Sequence, residues 1–582
     1  MMHRFSQRVL QVSLLAIIAL MLLSLSTPAQ TKMARLDYRE RTLANGLRVL
    51  SAVDKSSPTV AIQVWYKVGS KDDPEGRSGF AHLFEHIMFK STKNMKSEML
   101  DRLTEDIGGM NNAFTADDVT VYFEVVPSNY LETLLWAEAD RLASLNVDDP
   151  NFKSERDVVK EEYRERILAP PYGKLFYLLE QKSFTKHPYR RPGIGSIEDL
   201  DSASIEDVRA FHSTFYRPDN ATLVVVGDFE QKQFDAWVDK YFAGIAKPNK
   251  PLPRVTVKEP ERTGETRVVE FGQNVPLPAV AFTYLAPPKA SEDADALRLA
   301  GSILSSGESS RLYRSLVYEQ QVAQSASAGA DLREDVSLFQ FFAIVAGSKK
   351  PDDAERALLA EIKKMQDTPV SAAELEKAKN QIITAQLLER ETNNGKALAL
   401  GDAAVLLGDP NRANTDIERL SKVTAADIQR VMKKYLTDAN RLVIYYLPES
   451  LRPAKPAATG EKTGTNQEMK PTVNSQVVAG KSAAQPRVAY VGALDKGEVK
   501  TGSMAVAGSA KQERPNNQVV VEVLVDERGR VVQARAVKGE KLLRKAAEEE
   551  VRKMTFEPTV LSGAPVKVQG KITVNFVLAD NE

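Results

Sequence analysis

"GFAHLFEHIMF", residues 79–89, sets three ionisable side chains in an otherwise apolar run. His82, Glu85 and His86 are surrounded by Phe80, Leu83, Phe84, Ile87, Met88 and Phe89. So apolar a segment is expected to be buried, and isolated charges are expensive to bury. Helix geometry resolves the conflict. Ser78 reads as the N-cap ahead of Gly79, and no residue from 80 to 90 breaks a helix. At about 3.6 residues per turn, His82 and His86 share one face at i and i+4, with Glu85 beside them at i+3 from His82. The three polar heads then converge on one point while the apolar residues cover the remaining surface. Two neutral imidazoles at this spacing form a clamp for zinc, and a carboxylate one turn away is placed to take a proton from a water on that metal. The order H-x-x-E-H is an inverted zinc motif. The bland alternative is a pair of satisfied core histidines. The chain has only five histidines, however, and two of them share this turn with a glutamate.

Zinc needs at least one more protein ligand, and a chain without cysteine must draw it from His, Asp or Glu. His187 and His212 are candidates, although "KHPYRRPGIG" around His187 reads as a loop. The acidic helix "SERDVVKEEYRER" offers more. Glu155 and Glu162, seven residues apart, share one face, while Glu161 points about 100° away. A solvated charged helix would look the same, so spacing alone leaves the choice open.

Outward from this motif, the 582 residues are enough for several domains. Hydrophobic residues at 43% and charged residues at 27% fit an ordinary globular chain. The 78 basic and 78 acidic residues balance, so nothing points to a nucleic-acid partner. The N-terminus stands apart: "MMHRFSQRVLQVSLLAIIALMLLSLSTPAQ" has Arg4 and Arg8, an apolar stretch from Val9 to Leu25, then Thr27-Pro28-Ala29. That pattern predicts a secretory signal peptide over 1–29, cleaved after Ala29, since the stretch falls just short of a comfortable membrane span. The absence of cysteine excludes a lipoprotein anchor and disulfides. An exported, disulfide-free chain of this size points to a bacterial periplasm, with envelope association a further expectation.

From 36 to 450 strand-like and helix-like segments alternate. "AIQVWYKVG" (61–69), "TVYFEVV" (120–126) and "NATLVVVGD" (220–228) read as strands. "SNYLETLLWAEADRLASL" (128–145) and "FKSERDVVKEEYRERIL" (152–168) read as helices, the latter ended by Pro170 and Pro171. One offset of 220 carries "IEDL" (197–200) onto "IERL" (417–420), Asp207-Val208 onto Asp427-Ile428, and Asn220 onto Asn440. This predicts two related α/β halves, 36–235 and 262–450, joined by "AKPNKPLPRVTVKEPER". The same shift places Ser302, Ser305 and Ser306 on His82, Glu85 and His86, so the second half keeps the helix without the metal residues. Residues 451–485 are poor in aromatics and rich in Pro, Ala, Gly, Thr and Lys, the composition of a flexible linker. A separate C-terminal module is placed at 486–582, with order expected to return near 518. There "VVVEVLVD" and "KITVNFVL" are strands flanking a helical "KLLRKAAEEEVRKM", and the last strand alternates enough to leave an edge for a partner strand.

H-x-x-E-H followed by "GGMNNAFTADDVTVYFEVVP", then "ERDVVKEE", "HPYRRPGIG" and "YRPDNATLVVVGDF", resembles the pitrilysin/insulinase family. The short bacterial branch, similar to the mitochondrial processing peptidase, is the nearest likeness. The resemblance covers 36–450 and implies an α+β clamshell of two homologous α/β halves. It implies Zn2+ held by His82, His86 and Glu162, Glu85 as general base on a zinc-bound water, and Glu155, on the Glu162 face, either as a support behind the ligands or as an auxiliary acid. Asn112 and Ala113 match the edge strand on which such proteins bind an extended peptide. In this family an Arg and a Tyr usually follow an "SSRL" segment. Here "SSRL" (309–312) is followed by Tyr318 where the Arg is expected and by Gln324-Ser325 where the Tyr is expected. The reading is therefore a zinc endopeptidase acting on peptides or unfolded polypeptides, dimeric with itself or with a zinc-free relative. The alternative is a non-catalytic or partner-dependent subunit. Residues 519–578, with "FEP" and "SGAPV", resemble the TonB C-terminal domain, which implies a small β-α-β module that binds an envelope protein.

Overall fold

The computed structural model describes residues 34–453 and, further on, 488–493, 518–538, 541–555, 560–561, 564–565 and 567–575. The expected signal peptide (1–29) and linker (451–485, save its first three residues) lie outside the described residues. The chain divides into two compact units between Ala457 and Ala458. Among the described residues no helix is long and apolar enough to cross a membrane.

The larger unit is built on two sheets. The first contains β1 (Arg39–Thr42), β2 (Arg48–Val53), β3 (Thr59–Tyr66), β4 (Met110–Thr115), β5 (Thr120–Pro127) and β6 (Ala221–Gly227), in the order β1-β2-β6-β3-β5-β4. On one face lie α1 (Phe80–Ile87), α2 (Leu131–Ser144) and α3 (Asp149–Tyr163), where Val60, Ile62, Val64 and Tyr66 share a core with Phe80, Phe84, Leu134, Leu135 and Val159. A further helix, α4 (Gly173–Ser183), leads toward the second half. The second sheet contains β7 (Thr266–Gly272), β8 (Ala279–Ala286), β9 (Ala323–Asp331), β10 (Ser337–Val345) and β11 (Arg441–Pro448), in the order β7-β11-β8-β10-β9. Its helices include α5 (Ala294–Ser305), α6 (Ala372–Glu389) and α7 (Asn393–Val405).

With β1 set aside, the two sheets match strand for strand. Each has one parallel pair, β2 with β6 and β7 with β11, among antiparallel neighbours. Small details repeat 220 positions apart. Ser204 and Thr424 close capping boxes with Asp207 and Asp427. The Asn220 side-chain amide donates to the Phe215 carbonyl at 2.9 Å, and that of Asn440 to the Tyr435 carbonyl at 2.7 Å. Ser302 and Ser305 lie on α5, the counterpart of α1, and Ser306 just beyond its end, where the Ser305 hydroxyl donates to the Ala328 carbonyl at 2.7 Å.

Each half also covers the back of the other's sheet. Ala397, Leu400, Ala403 and Ala404 of α7 pack on Ala61, Trp65, Val121, Val224 and Val226 of the first sheet. Leu175, Leu178 and Leu179 of α4 pack on Ala279, Ala281, Leu442 and Ile444 of the second. Both faces are thus buried, which explains why "TLVVVG" reads as a continuous apolar run rather than an alternation. Gly401 permits the contact: a Cβ there would lie 2.3 Å from the Trp65 ring. The first half runs past residue 235, because Phe234, Val238 and Phe242 of the helix Gln231–Phe242 belong to its core.

The smaller unit has a sheet of β12 (Val488–Ala493), β13 (Gln518–Val525), β14 (Val531–Lys538) and β17 (Lys567–Asn575), in the order β12-β17-β13-β14, with β15 (Val560–Leu561) paired to β16 (Ala564–Pro565). Val519, Val521 and Val523 pack against Ala547 and Val551 of α8 (Lys541–Arg552). The last strand does not offer the open edge expected from its alternation. It pairs antiparallel with β13 on one side and parallel with β12 on the other.

Candidate metal centre

Helix α1 carries the motif, but it starts differently from the sequence reading. Ser78 is not its cap. The cap position is Gly79 at φ 91°, a left-handed conformation that favours glycine. Asp73, six residues upstream, supplies the acceptor: its carboxylate takes the N–H of Gly79 at 2.7 Å and of Ala81 at 2.8 Å. Ser78 instead bonds Asp199 through its N–H at 3.0 Å and its hydroxyl at 2.5 Å.

One turn apart on α1, the rings of His82 and His86 stand at 90° with centroids 5.0 Å apart. Both Nε2 atoms lie 3.4 Å from the same oxygen, Oε2 of Glu162 near the end of α3. One ligand atom from each residue lies within 4.8 Å of the others, and this is the one such group among the described residues. Donors about 2.0–2.1 Å from a tetrahedral zinc would be separated by about 3.3 Å. Both nitrogen-to-oxygen separations therefore match the donor spacing of that ion.

The remaining sequence candidates fall elsewhere. Glu161 is exposed and pairs with Arg164 at 2.8 Å. His187 is buried at the contact with the second half, its Nε2 3.4 Å from Asp335. His212 lies behind α1, stacked on Phe84 and Tyr216 with centroids 5.8 and 5.6 Å away. Glu155 sits on the far side of His86, its Oε2 3.5 Å from Nδ1 and its Oε1 2.8 Å from Lys90 Nζ. That is the place of a group that orients a ligating imidazole rather than one facing substrate. The other Glu162 oxygen accepts from Arg166 at 2.6 Å.

Charge in the site follows from burial and these partners. Burial brings the His82 imidazole down to about 4, which keeps it neutral as a ligand must be. Burial acts in the same direction on His86 but is outweighed by the Glu155 and Glu162 carboxylates, which hold it up at about 9. Two carboxylates around one imidazole mark a point that favours positive charge. Burial raises Glu85 above the ordinary carboxylate range, opposed by a 2.6 Å hydrogen bond from the Thr115 hydroxyl.

Thr115 ends β4, the outer strand of the first sheet, so that strand links Glu85 to Asn112 and Ala113. The outer edge of β4 has no neighbour in the sheet. The Ala113 N–H is turned away from β5 and is held by the Asn112 side chain at 2.8 Å. Sequence reasoning missed Thr115 and Asp73. The first had a signal, since Thr115 follows Ala113 by two and must share its face. The second had none, because a turn closes the distance.

Residues 48–194 match the family described as Insulinase (Peptidase family M16), 202–382 the Peptidase M16 inactive domain, and 508–578 the Gram-negative bacterial TonB protein C-terminal. The chain is 32% identical over 367 residues to the zinc protease PqqE of Helicobacter pylori, covering 63% of this chain and 82% of that one. It is 26% identical over 399 residues to a probable mitochondrial-processing peptidase subunit beta of Arabidopsis thaliana, covering 67% of this chain and 74% of that one. The crystal structure of a protease from Helicobacter pylori superposes with a TM-score of 0.69 at 30% identity, over 71% of this chain and all of that one. Paired sheets with exchanged helices, a two-histidine helix facing a glutamate, and these relatives place the chain in the insulinase family, peptidase family M16.

Proposed function

We propose that this chain is a zinc-dependent endopeptidase of the periplasm that cleaves peptides or unfolded polypeptides. The observation that supports it most is the convergence of His82 Nε2 and His86 Nε2 on Glu162 Oε2 beside a partly buried Glu85. Zinc bound there would supply Lewis-acid polarisation of a scissile carbonyl and acidify water toward neutrality. His82, His86 and Glu162 would hold the ion, and Glu155 would fix the ring of His86. Glu85 takes the proton of the attacking water and hands it to the leaving amine. Thr115 keeps the Glu85 carboxylate aimed. The free edge of β4 takes the substrate as an added strand through the backbone groups of Ala113, beside the Asn112 side chain, so sequence selectivity is low and folded proteins are excluded.

The test is cleavage of a short unstructured peptide by the full chain, abolished by a chelator and restored by added zinc. Cleavage that survives complete zinc removal would overturn the reading.

The second half lacks the expected Arg and Tyr, with Tyr318 and Gln324-Ser325 in their places. The fuller activity therefore belongs to a dimer with a zinc-free relative that carries the pair. A similar protein named as a processing-peptidase subunit supports that arrangement. Robust turnover by a verified monomer would remove the need for it. The C-terminal module binds an envelope protein. Truncation after Pro453 should abolish that association and leave peptide cleavage intact.

A further inference from the structure

The metal-free half is tied to the start of the metal helix. Its β9–β10 turn carries Arg333, Glu334 and Asp335. Glu334 and Asp335 bond the buried Lys71 ammonium at 2.7 and 2.9 Å, and Asp118 of the first half completes the cage at 2.8 Å. The Glu334 N–H donates to Asp118 at 2.9 Å, and Arg333 pairs with Asp117 at 3.0 Å. Lys71 is two residues before Asp73, which caps α1. Both backbone carbonyls, of Lys71 and Asp73, accept from Arg191 at 3.1 and 2.7 Å. On the other side, Asp117 and Asp118 form the turn that follows Thr115, the residue bonded to Glu85. The Ser70 hydroxyl donates to Asp117 at 2.7 Å, locking this turn to the 69–73 segment.

We infer that Glu334 and Asp335 are positioning residues for the metal helix, acting through Lys71 on the Asp73 cap and through Asp118 on the hairpin that aims Glu85. The physical basis is the cost of the cage. Lys71 is buried, and removing two of its three carboxylates leaves an ammonium under-compensated, so the 69–73 segment shifts to rehydrate it. A helix that loses its acceptor at the first N–H groups frays from that end. His82 is the third residue of α1, so fraying there moves a ligand directly. The metal-free half thus contributes orientation to the metal site as well as shape. This rests on the metal-site reading above.

The experiment compares the full chain with E334Q/D335N and with K396M. Lys396 of α7 pairs with Asp54 across the same two halves but away from α1, so K396M controls for general loosening. Amide hydrogen exchange over 79–89 is expected to quicken about tenfold in E334Q/D335N and to stay unchanged in K396M. Zinc affinity, read by competition with a chromogenic chelator, should fall about tenfold in the double variant alone. In peptide cleavage kcat should fall with KM within about twofold. Unchanged exchange over 79–89 in E334Q/D335N overturns the inference, as does an equal rise in K396M. A wild-type chain that takes up no zinc would sink the metal-site reading instead, and the exchange comparison would still decide this one.

Discussion

His86 is held between two carboxylates: Glu155 Oε2 lies 3.5 Å from its Nδ1, while Nε2 on the opposite side of the ring faces Glu162 at 3.4 Å. A ligating imidazole whose second nitrogen donates to a carboxylate is fixed in tautomer and orientation, and loss of that partner typically weakens metal binding about 10–100-fold. Glu155→Gln should therefore keep one zinc per chain at saturating metal but release it to a chelator at correspondingly lower concentration. Wild-type affinity in that variant would mean Glu155 serves only the Lys90 ion pair.

Thr115 donates to Glu85 at 2.6 Å from the adjoining strand. Replacing it with valine removes the hydrogen bond and little volume. Turnover should fall about 10- to 100-fold, since a hydrogen bond to a charged group is worth roughly 1.5–3 kcal/mol, and zinc content should not change. Loss of zinc in Thr115→Val would show that the hairpin holds the helix rather than Glu85.

The Ala113 N–H points from the outer edge of β4, so a proline there removes a donor without breaking the ladder to β5. Ala113→Pro should raise KM for extended peptides up to about tenfold, the weight of one backbone hydrogen bond. Its kcat, zinc content and melting temperature should stay close to wild type. Unaltered KM would place the substrate elsewhere.

His212 carries a stability prediction. Burial pushes its imidazole down from 6.5 to about 4, so on acidification the unfolded chain takes the proton first. Its contribution is complete above about pH 6.5 and is lost as pH falls toward 4, amounting to about 3 kcal/mol. His212→Phe keeps the stack between Phe84 and Tyr216 and removes the titration. Urea midpoints at pH 7.5 and 4.5 should therefore fall less in the variant than in wild type. Equal falls would contradict this.

What the sequence revealed about this site depended on range. His82, Glu85 and His86 lie within one helical turn, where periodicity alone places them together. The duplication was legible because Asn220 and Asn440 tie off equivalent helix–strand turns. Glu162 was narrowed to a helix face by its spacing from Glu155, but its selection over His187 and His212 needed a contact formed across some 76 residues, for which only family likeness gave a guide. Asp73 was illegible because a left-handed glycine folds the chain back onto it, and the same fold-back displaced Ser78 from the cap. The exchange of α4 and α7 between the halves was hidden for a similar reason. Their apolar faces do not say which sheet they cover. In the C-terminal module, alternation marked β17 as a strand but could not show that β12 closes its edge.

The most direct test of the central claim is zinc per chain, by elemental analysis of purified variants alongside cleavage of an unstructured peptide. Wild type, Glu161→Gln and Glu85→Gln should each hold one zinc, with Glu85→Gln slower in turnover by about 10²–10⁴-fold. His82→Ala, His86→Ala and Glu162→Gln should each fall well below one. Glu162→Gln retaining zinc while Glu161→Gln loses it would contradict the assigned ligand set, and a Glu85→Gln variant that cleaves like wild type would contradict the assigned chemistry.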